Sequence, residues 1–520
     1  MNKEQLSDAI GNISDEHIEA KDKRTDSGKN RALKAFSAIA ALLALAVTAV
    51  LVIPKLLPDR PTPDTSVTND VTTLPPETTS LQPTDHTQEG ATQAPSAVPL
   101  SYAVAEAVYP EECDYLYTWN STKEEIMQYK TEDGKTDALQ YTRAVLKSVL
   151  PGTEENAAFS PLSLYFSLAS LAQMSVGETR EQILSLLGAP DIEALKKTAR
   201  AVWLNVYCNG KPYGDQASGD KECVIPSNSF WLNSNVAADG DASVAEILKN
   251  DYFTSFYKGD PLDDGFQNAY RAWMNDHTGG LLKDAVEQMS FSPTDIFTLV
   301  NTLYLKLTWM EPFLEEENSV DVFYGKSGDT QATYMHKTTD YGKYYKGACF
   351  SCGILPTNTN AGVAFILPDP GTTLEELIQS EAYMEFFENR WDTDKYLPPE
   401  GYDMYEIAFS VPKFNITSSY DLKPYLTSMG VSDAFDAGKA DIPFIKSTDG
   451  ANPFITKAKQ DVTVDVNEKG ISAAAITTMG GGWGQPVFYK VDMDLNRPFL
   501  MVVVSECNTP LFAAAVNNIE

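Results

Sequence analysis

The sequence predicts a mixed α+β domain over residues 101–520, preceded by one membrane-spanning helix and a disordered stalk. Three observations carry this prediction. From about Ser101 onward, helix-period and strand-period segments mix without a second linker or an internal repeat. Ala35 to Ile53 ("AFSAIAALLALAVTAVLVI") contains no charged residue. Leu57 to about Leu100 is rich in Pro and Thr and almost lacks large apolar side chains.

Taken in order, residues 1–34 are polar and mixed in charge, as expected of a cytoplasmic segment. The apolar run that follows, assigned as a transmembrane helix over 35–56, covers roughly 28 Å at helical rise, close to bilayer thickness. Lys21, Lys23, Arg24, Lys29, Arg31 and Lys34 precede it, against Lys55 and Arg60 after it. That bias keeps the N-terminus inside and exports the remainder. The competing reading is a cleaved signal peptide processed near Ala44, Ala46 or Ala49, which would make the domain secreted. The leader is long and the apolar run exceeds a usual signal core, which favours a single-pass anchor. Residues 57–100 ("RPTPDTSVTNDVTTLPPETTS" within them) cannot bury enough surface to offset ordering entropy, so they form a linker of roughly 40 Å end to end.

Composition excludes several function classes. The 520-residue chain carries a formal net charge of −32, which repels polyphosphate and argues against nucleic-acid binding. Hydrophobic content of 43% marks a folded protein, and the acidic balance fits a soluble, exported one. Six cysteines (Cys113, Cys208, Cys223, Cys349, Cys352, Cys507) are too few for a disulfide framework at this length. Cys349 and Cys352 form a C-x-x-C, but "GACFSCGIL" reads as a strand, in which positions three apart face opposite ways. Cys208 and Cys223 bracket a polar insertion and can pair outside the cell; whether they do is open. Four histidines, with His17 and His86 in the tails, leave no metal cluster and no His-based triad.

Within the domain, Asp137 to Leu150 and Pro161 to Leu187 read as amphipathic helices. "SNSFWLNSNV", "DIFTLVNTLYLKLTW", "GVAFILP", "YEIAFSVPKF", "DVTVDV" and "PFLMVVV" read as strands. No G-x-S-x-G, P-loop or H-E-x-x-H occurs, so no enzyme, cofactor or metal site is expected. One segment stands apart. "NEKGISAAAITTMGGGWGQPVFYK" (Asn467 to Lys490) loses all charge between Gly470 and Tyr489 in a chain that is 22% charged.

Four blocks resemble the serpins, the serine protease inhibitor family, in family order. They are "NAAFSPLSLYFSLASLAQMSVGETREQILSLLG" (Asn156 to Gly188), "LVNTLYLKLTWMEPF" (Leu299 to Phe313), "FSVPKFNITSSYDLKPYLTSMGVSDAF" (Phe409 to Phe435) and "MDLNRPFLMVVV" (Met493 to Val504). Together they span essentially all of 101–520. The resemblance implies a large central β-sheet, an exposed reactive-centre loop and no cofactor. It also implies a spring mechanism: a protease cuts the loop, the loop inserts into the sheet, and the acyl-linked protease is dragged along and distorted. The implied partner is a serine protease, or also a cysteine protease, with the inhibitor a monomer.

The bland segment then acquires a physical reading. Residues entering a central strand are buried alternately, where a charge would cost several kcal/mol, and a Pro would remove a ladder bond. The resemblance makes Glu468, Gly470, Ile471, Ala473, Ala474 and Ala475 the loop hinge. With Ile471 facing inward, Ala473, Ala475 and Thr477 share its side, while Ser472, Ala474 and Ile476 face out. Family spacing from Glu468 places the reactive bond at Gly484–Gln485, or one residue earlier with Trp483 before it. The loop is about three residues longer than a common family pattern, so both registers stay open. Without Arg or Lys in the segment a trypsin-like target is disfavoured. Gly484 suits elastase- or subtilisin-like targets and Trp483 a chymotrypsin-like one. Ser160, Ser163, Asn301 and Gln460 match the polar shutter cluster beneath the sheet, and Trp309 matches the tryptophan of the breach, where the loop enters. Gln460 stands where many relatives carry His. The resulting expectation is a surface-displayed inhibitor on a bacterial cell. Two alternatives remain: a non-inhibitory scaffold, motivated by Gly480–Gly482, and a signalling role for residues 1–34.

Overall fold

The computed structural model describes residues 101–519, except 108, 110–137, 153, 211–221, 237–241, 279–285, 288, 341, 360, 390–392, 448–449, 451, 472–486 and 506–508. The predicted cytoplasmic segment, anchor and stalk lie outside the described residues, as do Cys113, Cys507, His17 and His86. Among the described residues no helix is long and apolar enough to cross a membrane.

Among the described residues three sheets carry the domain. The largest has eight strands. Its order is β1 (Ala103–Ala105), β5 (Thr254–Gly259), β4 (Glu222–Asn233), β6 (Phe297–Thr308), β15 (Gly470–Ile471), β14 (Lys459–Asn467) and β13 (Phe414–Asp421), with β3 (Cys208–Gly210) paired to β4. A six-stranded sheet runs β2 (Ala157–Phe159), β18 (Pro510–Val516), β17 (Phe499–Ser505), β11 (Ala361–Pro368), β10 (Phe350–Pro356) and β9 (Lys343–Lys346). A four-stranded sheet runs β16 (Phe488–Asp494), β12 (Met404–Pro412), β8 (Gly328–Thr339) and β7 (Ser319–Gly325). The residue patterns explain the layering. The continuous apolar runs of β11, β17 and β18 are buried along their whole length, whereas β13 alternates buried and exposed positions. On β4, Phe230 and Leu232 join the main core while Trp231 turns the other way, into a second cluster with Tyr257, Phe266 and Trp273.

The helices that position the site are α1 (Ala138–Val149), α2 (Pro161–Met174), α3 (Gly177–Leu187), α4 (Ile192–Val206), α5 (Ala242–Asp251) and α6 (Asp264–Asp276). The single amphipathic helix expected over 161–187 is two helices, because Ser175 and Val176 adopt extended backbone between them. Nor is α2 amphipathic: it is buried almost all round. Its serines make this tolerable by finding partners, as Ser170 does in the Thr254 hydroxyl of β5 at 3.3 Å. The run expected as one strand, Tyr405 to Phe414, also divides. It crosses from the four-stranded to the eight-stranded sheet at Lys413. Cys352 is buried on β10 and Cys349 half-buried just before it. In the β3–β4 hairpin Cys208 lies opposite Val224 and Cys223 opposite Asn209, so the two cysteines are not a directly opposed pair.

Candidate functional site: the open seam of the large sheet

The described part of β15, Gly470 and Ile471, sits between two long strands. Gly470 pairs with Asn467 of β14 and Thr308 of β6, and Ile471 with Val466 and Leu307. It runs antiparallel to both, so β6 and β14 run parallel to each other. β6 and β14 are not paired with each other among the described residues; β15 stands between them. Gly470 is the only residue type that fits at the head of this seam. Its φ is +149°, and a Cβ there would lie 2.0 Å from the Leu307 carbonyl oxygen. Ile471, buried at 3% exposure, seals the position below it.

The turn that leads into β15 is anchored from two directions. The buried Trp309 indole donates to the Asn467 carbonyl at 3.0 Å, and the Trp309 amide donates to the Lys469 carbonyl at 3.1 Å. The Phe313 amide donates to the Glu468 carbonyl at 2.9 Å. Glu468 itself is buried, and its carboxylate accepts from Asn318 Nδ2 at 2.6 Å and Lys413 Nζ at 2.8 Å. Burial pushes this carboxyl pKa up, but the bonds from Lys413 and Asn318 together outweigh it and hold it below the ordinary value.

The shutter residues divide into two banks. On one, Ser160 caps α2 and accepts from the Ser163 amide at 3.2 Å. Its hydroxyl donates to the Leu511 carbonyl at 2.9 Å and lies 3.0 Å from Ser163 Oγ. Gln460, on β14, grips the Ser160 backbone at both ends: Oε1 accepts from its N–H and Nε2 donates to its C=O, each at 3.0 Å. A neutral amide with one donor and one acceptor fits this two-point clasp. On the other bank, Asn301 Nδ2 donates to Asn228 Oδ1, and Asn228 Nδ2 donates to the Tyr252 carbonyl at 3.1 Å. Asn301 Oδ1 and Thr302 Oγ1 are buried without a partner among the described residues.

The structure thus brings Glu468, Gly470, Ile471 and Trp309 together at the head of the seam, and Ser160, Ser163 and Gln460 together lower down, with Asn301 on the facing bank. Ala473, Ala474, Ala475, Trp483, Gly484 and Gln485 lie outside the described residues. Where the chain is described again, Val487 is tied down: its amide donates to Asp403 Oδ2 at 3.0 Å and its carbonyl accepts from the Asp403 amide at 2.8 Å. Sequence reasoning missed Asn228, Lys413, Asn318 and Asp403. Asn228 alone carried a signal, as a polar residue in the core-facing register of a strand. Among the described residues no group of His, Cys, Asp and Glu could hold a metal ion.

Comparison with known proteins gives the same fold a family. The profile described as "Serpin (serine protease inhibitor)" matches residues 137–519. Serpin B10 of Homo sapiens is 25% identical over 380 residues, covering 69% of this chain and 92% of its own. The thermophilic serpin tengpin in its native state superposes with a TM-score of 0.63 at 20% identity, over 80% of this chain and 100% of that one. Thyroxine-binding globulin, solved with thyroxine, superposes at 0.58 and 19% identity, over 74% of this chain and 98% of that one. A single profile spans the helices, both banks of the seam and the C-terminal strands; the chain belongs to the serpin family of serine protease inhibitors.

Proposed function

We propose that this chain is a single-use inhibitor of extracellular serine proteases with elastase-, subtilisin- or chymotrypsin-like specificity. The observation that carries the reading is β15, whose Gly470 and Ile471 are already seated between β6 and β14 at the head of the seam. Continuing its register downward sets Ala473 between Leu305 and Val464, Ala475 between Leu303 and Val462, and Thr477 between Asn301 and Gln460. Small side chains meet the aliphatic stretch, and a hydroxyl meets the polar one.

In this scheme the protease serine attacks the Gly484 carbonyl (Trp483 in the alternative register) and expels the amine of the next residue. An ester then links the two proteins. Threading the cut segment into the seam carries that ester roughly 45 Å along the sheet at strand rise. The new ladder bonds and the burial of Ala473 and Ala475 on a sheet already formed supply the driving force. No cofactor is involved, and the chain acts as a monomer.

We further assign residues 1–34 to the cytoplasm, 35–56 to the membrane and 57–100 to a stalk that presents the domain outside a bacterial cell. There it would shield the envelope from foreign proteases; release by signal cleavage is the alternative. Incubation with pancreatic elastase tests the central reading. An SDS-stable complex is the expected product, and mass spectrometry of the released peptide locates the bond. Gly480–Gly482 favours a second reading, a non-inhibitory binding module, since glycine weakens an inserted strand. Thyroxine-binding globulin, solved in complex with thyroxine, shares the fold. Clean cleavage with full survival of the protease, and a melting temperature unchanged by the nick, would establish that second reading.

A further inference from the structure

The edge strand β1 of the large sheet comes from residues that precede the family match, which begins at 137. It pairs antiparallel with β5, Ala103 opposite Tyr257 and Ala105 opposite Phe256, so the register slips by one residue at Val104. The slip turns the chain over. Ala103 packs on the α6 cluster with Tyr257, whereas Ala105 and Ala107 pack on the main core with Phe256. The segment therefore passes round the free edge of the sheet from one face to the other. It is fastened along its length. The Tyr102 ring stands edge-on to Phe266 at 5.4 Å, and its hydroxyl donates at 2.5 Å to Oδ2 of Asp263, the residue that caps α6. The Lys258 amide donates to the Tyr102 carbonyl at 2.9 Å, and the Ala107 amide donates to the Ser255 hydroxyl oxygen at 3.1 Å. Beyond them Tyr109 stacks on Trp203 of α4 at 5.4 Å, and the Trp203 indole donates to the Pro226 carbonyl of β4 at 3.1 Å.

We propose that residues 102–107 and Tyr109 form a clip that brakes any change in the width of the large sheet. The inference rests on the inhibitor reading above, in which the sheet takes up a strand. One more strand between β6 and β14 widens the sheet by about 4.8 Å. The half-sheet β1–β5–β4–β6 is hydrogen-bonded throughout and carries α6 on one face, where Val300 of β6 packs against the α6 cluster. It therefore moves as a body. α4 lies on the other face, with Trp203 in the main core. The clip spans the plane between them, because Tyr102 holds the α6 side and Tyr109 the α4 side. A slide of one strand width is as large as the separation of the Tyr109 and Trp203 rings and breaks their stacking. Both tyrosines thus act on the rate of the change in width, as positioning residues that never touch the inserted strand.

The test follows how fast the full-length chain incorporates a synthetic peptide copying residues 470–482, with bound peptide counted by native mass spectrometry. Tyr102→Phe combined with Tyr109→Leu keeps the bulk but removes the hydroxyl and the stacked ring. Incorporation should be at least fivefold faster in this double variant. Elastase challenge should also give a higher ratio of trapped to clipped product, since faster insertion outruns hydrolysis of the ester. Val320→Ser, at an exposed position on β7, should leave both readouts unchanged. A double variant within twofold of wild type in incorporation, or slower, overturns the clip. So does a lower melting temperature at an unchanged rate, which makes the segment a structural support only. If wild type takes up no peptide and yields only clipped product, the inhibitor reading fails, and hydrogen exchange then judges the clip. Amides of β5 and β6 should exchange at least fivefold faster in the double variant, and equal exchange overturns it. Should the double variant lose its thermal transition, Tyr102→Phe alone carries the same comparisons.

Discussion

Replacing Gly470 by alanine adds one methyl group at the head of the seam, and the geometry defines what it meets. The Cβ would lie 2.0 Å from the Leu307 oxygen and 2.8 Å from the Thr308 Cα, both backbone atoms that cannot swing aside. A φ of +149° is also strained for any residue with a side chain. The cheapest relief is for β15 to leave the sheet. That exposes Ile471, whose burial contributes about 2 kcal/mol, and gives up ladder bonds worth about 1 kcal/mol each. The expected loss is about 3–5 kcal/mol. Spread over the unfolding entropy of a domain of about 400 residues, it lowers the melting temperature by about 4–6 °C. Differential scanning calorimetry reads this directly. Elastase challenge of the same samples should show more clipped and less trapped product, since insertion starts from a strand no longer seated. An alanine variant that melts within 1 °C of wild type and traps the same fraction would refute the reasoning.

Glu468→Gln should cost about 1–3 kcal/mol at neutral pH by leaving the Lys413 ammonium without its carboxylate. Because the folded pKa of Glu468 is depressed, its contribution is full above the unfolded value near 4.5 and fades as pH falls through the folded one. Urea midpoints of wild type and variant should therefore converge in acid; a gap that does not narrow by pH 3 counts against the assignment. His277 stacks on Trp273 at 4.1 Å, and burial pushes its pKa down to about 4 from 6.5. The unfolded chain thus takes up a proton that the folded one refuses, and about 3 kcal/mol is lost as pH drops across that window. His277→Phe should flatten this part of the pH–stability curve, and an unchanged slope would assign it elsewhere. Tyr109→Ala removes a ring stacked on Trp203 at 5.4 Å and should cost about 2–3 kcal/mol by urea unfolding. A negligible effect would mean that the segment before residue 137 does not brace the domain.

Elements whose cause is local were legible in the sequence. Gly470 announced a backbone need, and it occupies a position that no Cβ fits. Ser160 followed by Pro161 reads as a helix start, and it is one. β14 and β17 appear within one or two residues of their apolar patterns. Elements whose cause is distant were not legible. Glu468 is held by Asn318 and Lys413, which lie 150 and 55 residues away, and no spacing rule links the three. The break at Ser175 occurs inside a run of good helix pattern. The anchoring that ends α2 there is tertiary: the Val176 amide donates to the Asp441 carbonyl at 3.0 Å. β1 is three residues long, too short for any periodicity, and owes its place to pairing with β5.

The two banks of the seam differ in a way that bears on how it would open. On the Gln460 bank every polar atom named in the clasp has a partner, so that side is complete without an inserted strand. On the Asn301 bank Oδ1 of Asn301 and the Thr302 hydroxyl have none among the described residues, and a buried acceptor left so costs about 1–3 kcal/mol. Destabilisation stored on one edge alone makes the seam asymmetric. Extended from Gly470 and Ile471, the register brings the Thr477 hydroxyl to the height of Asn301, and that hydroxyl can donate to the vacant oxygen. Small apolar residues above it can slide past Leu305 and Leu303 without a desolvation barrier of their own. The inserted state that the proposed mechanism requires would then recover this deficit at the one height where the seam is polar. A valine at 477, equal in shape but without the hydroxyl, would pass the same gap and leave Asn301 as unsatisfied as before.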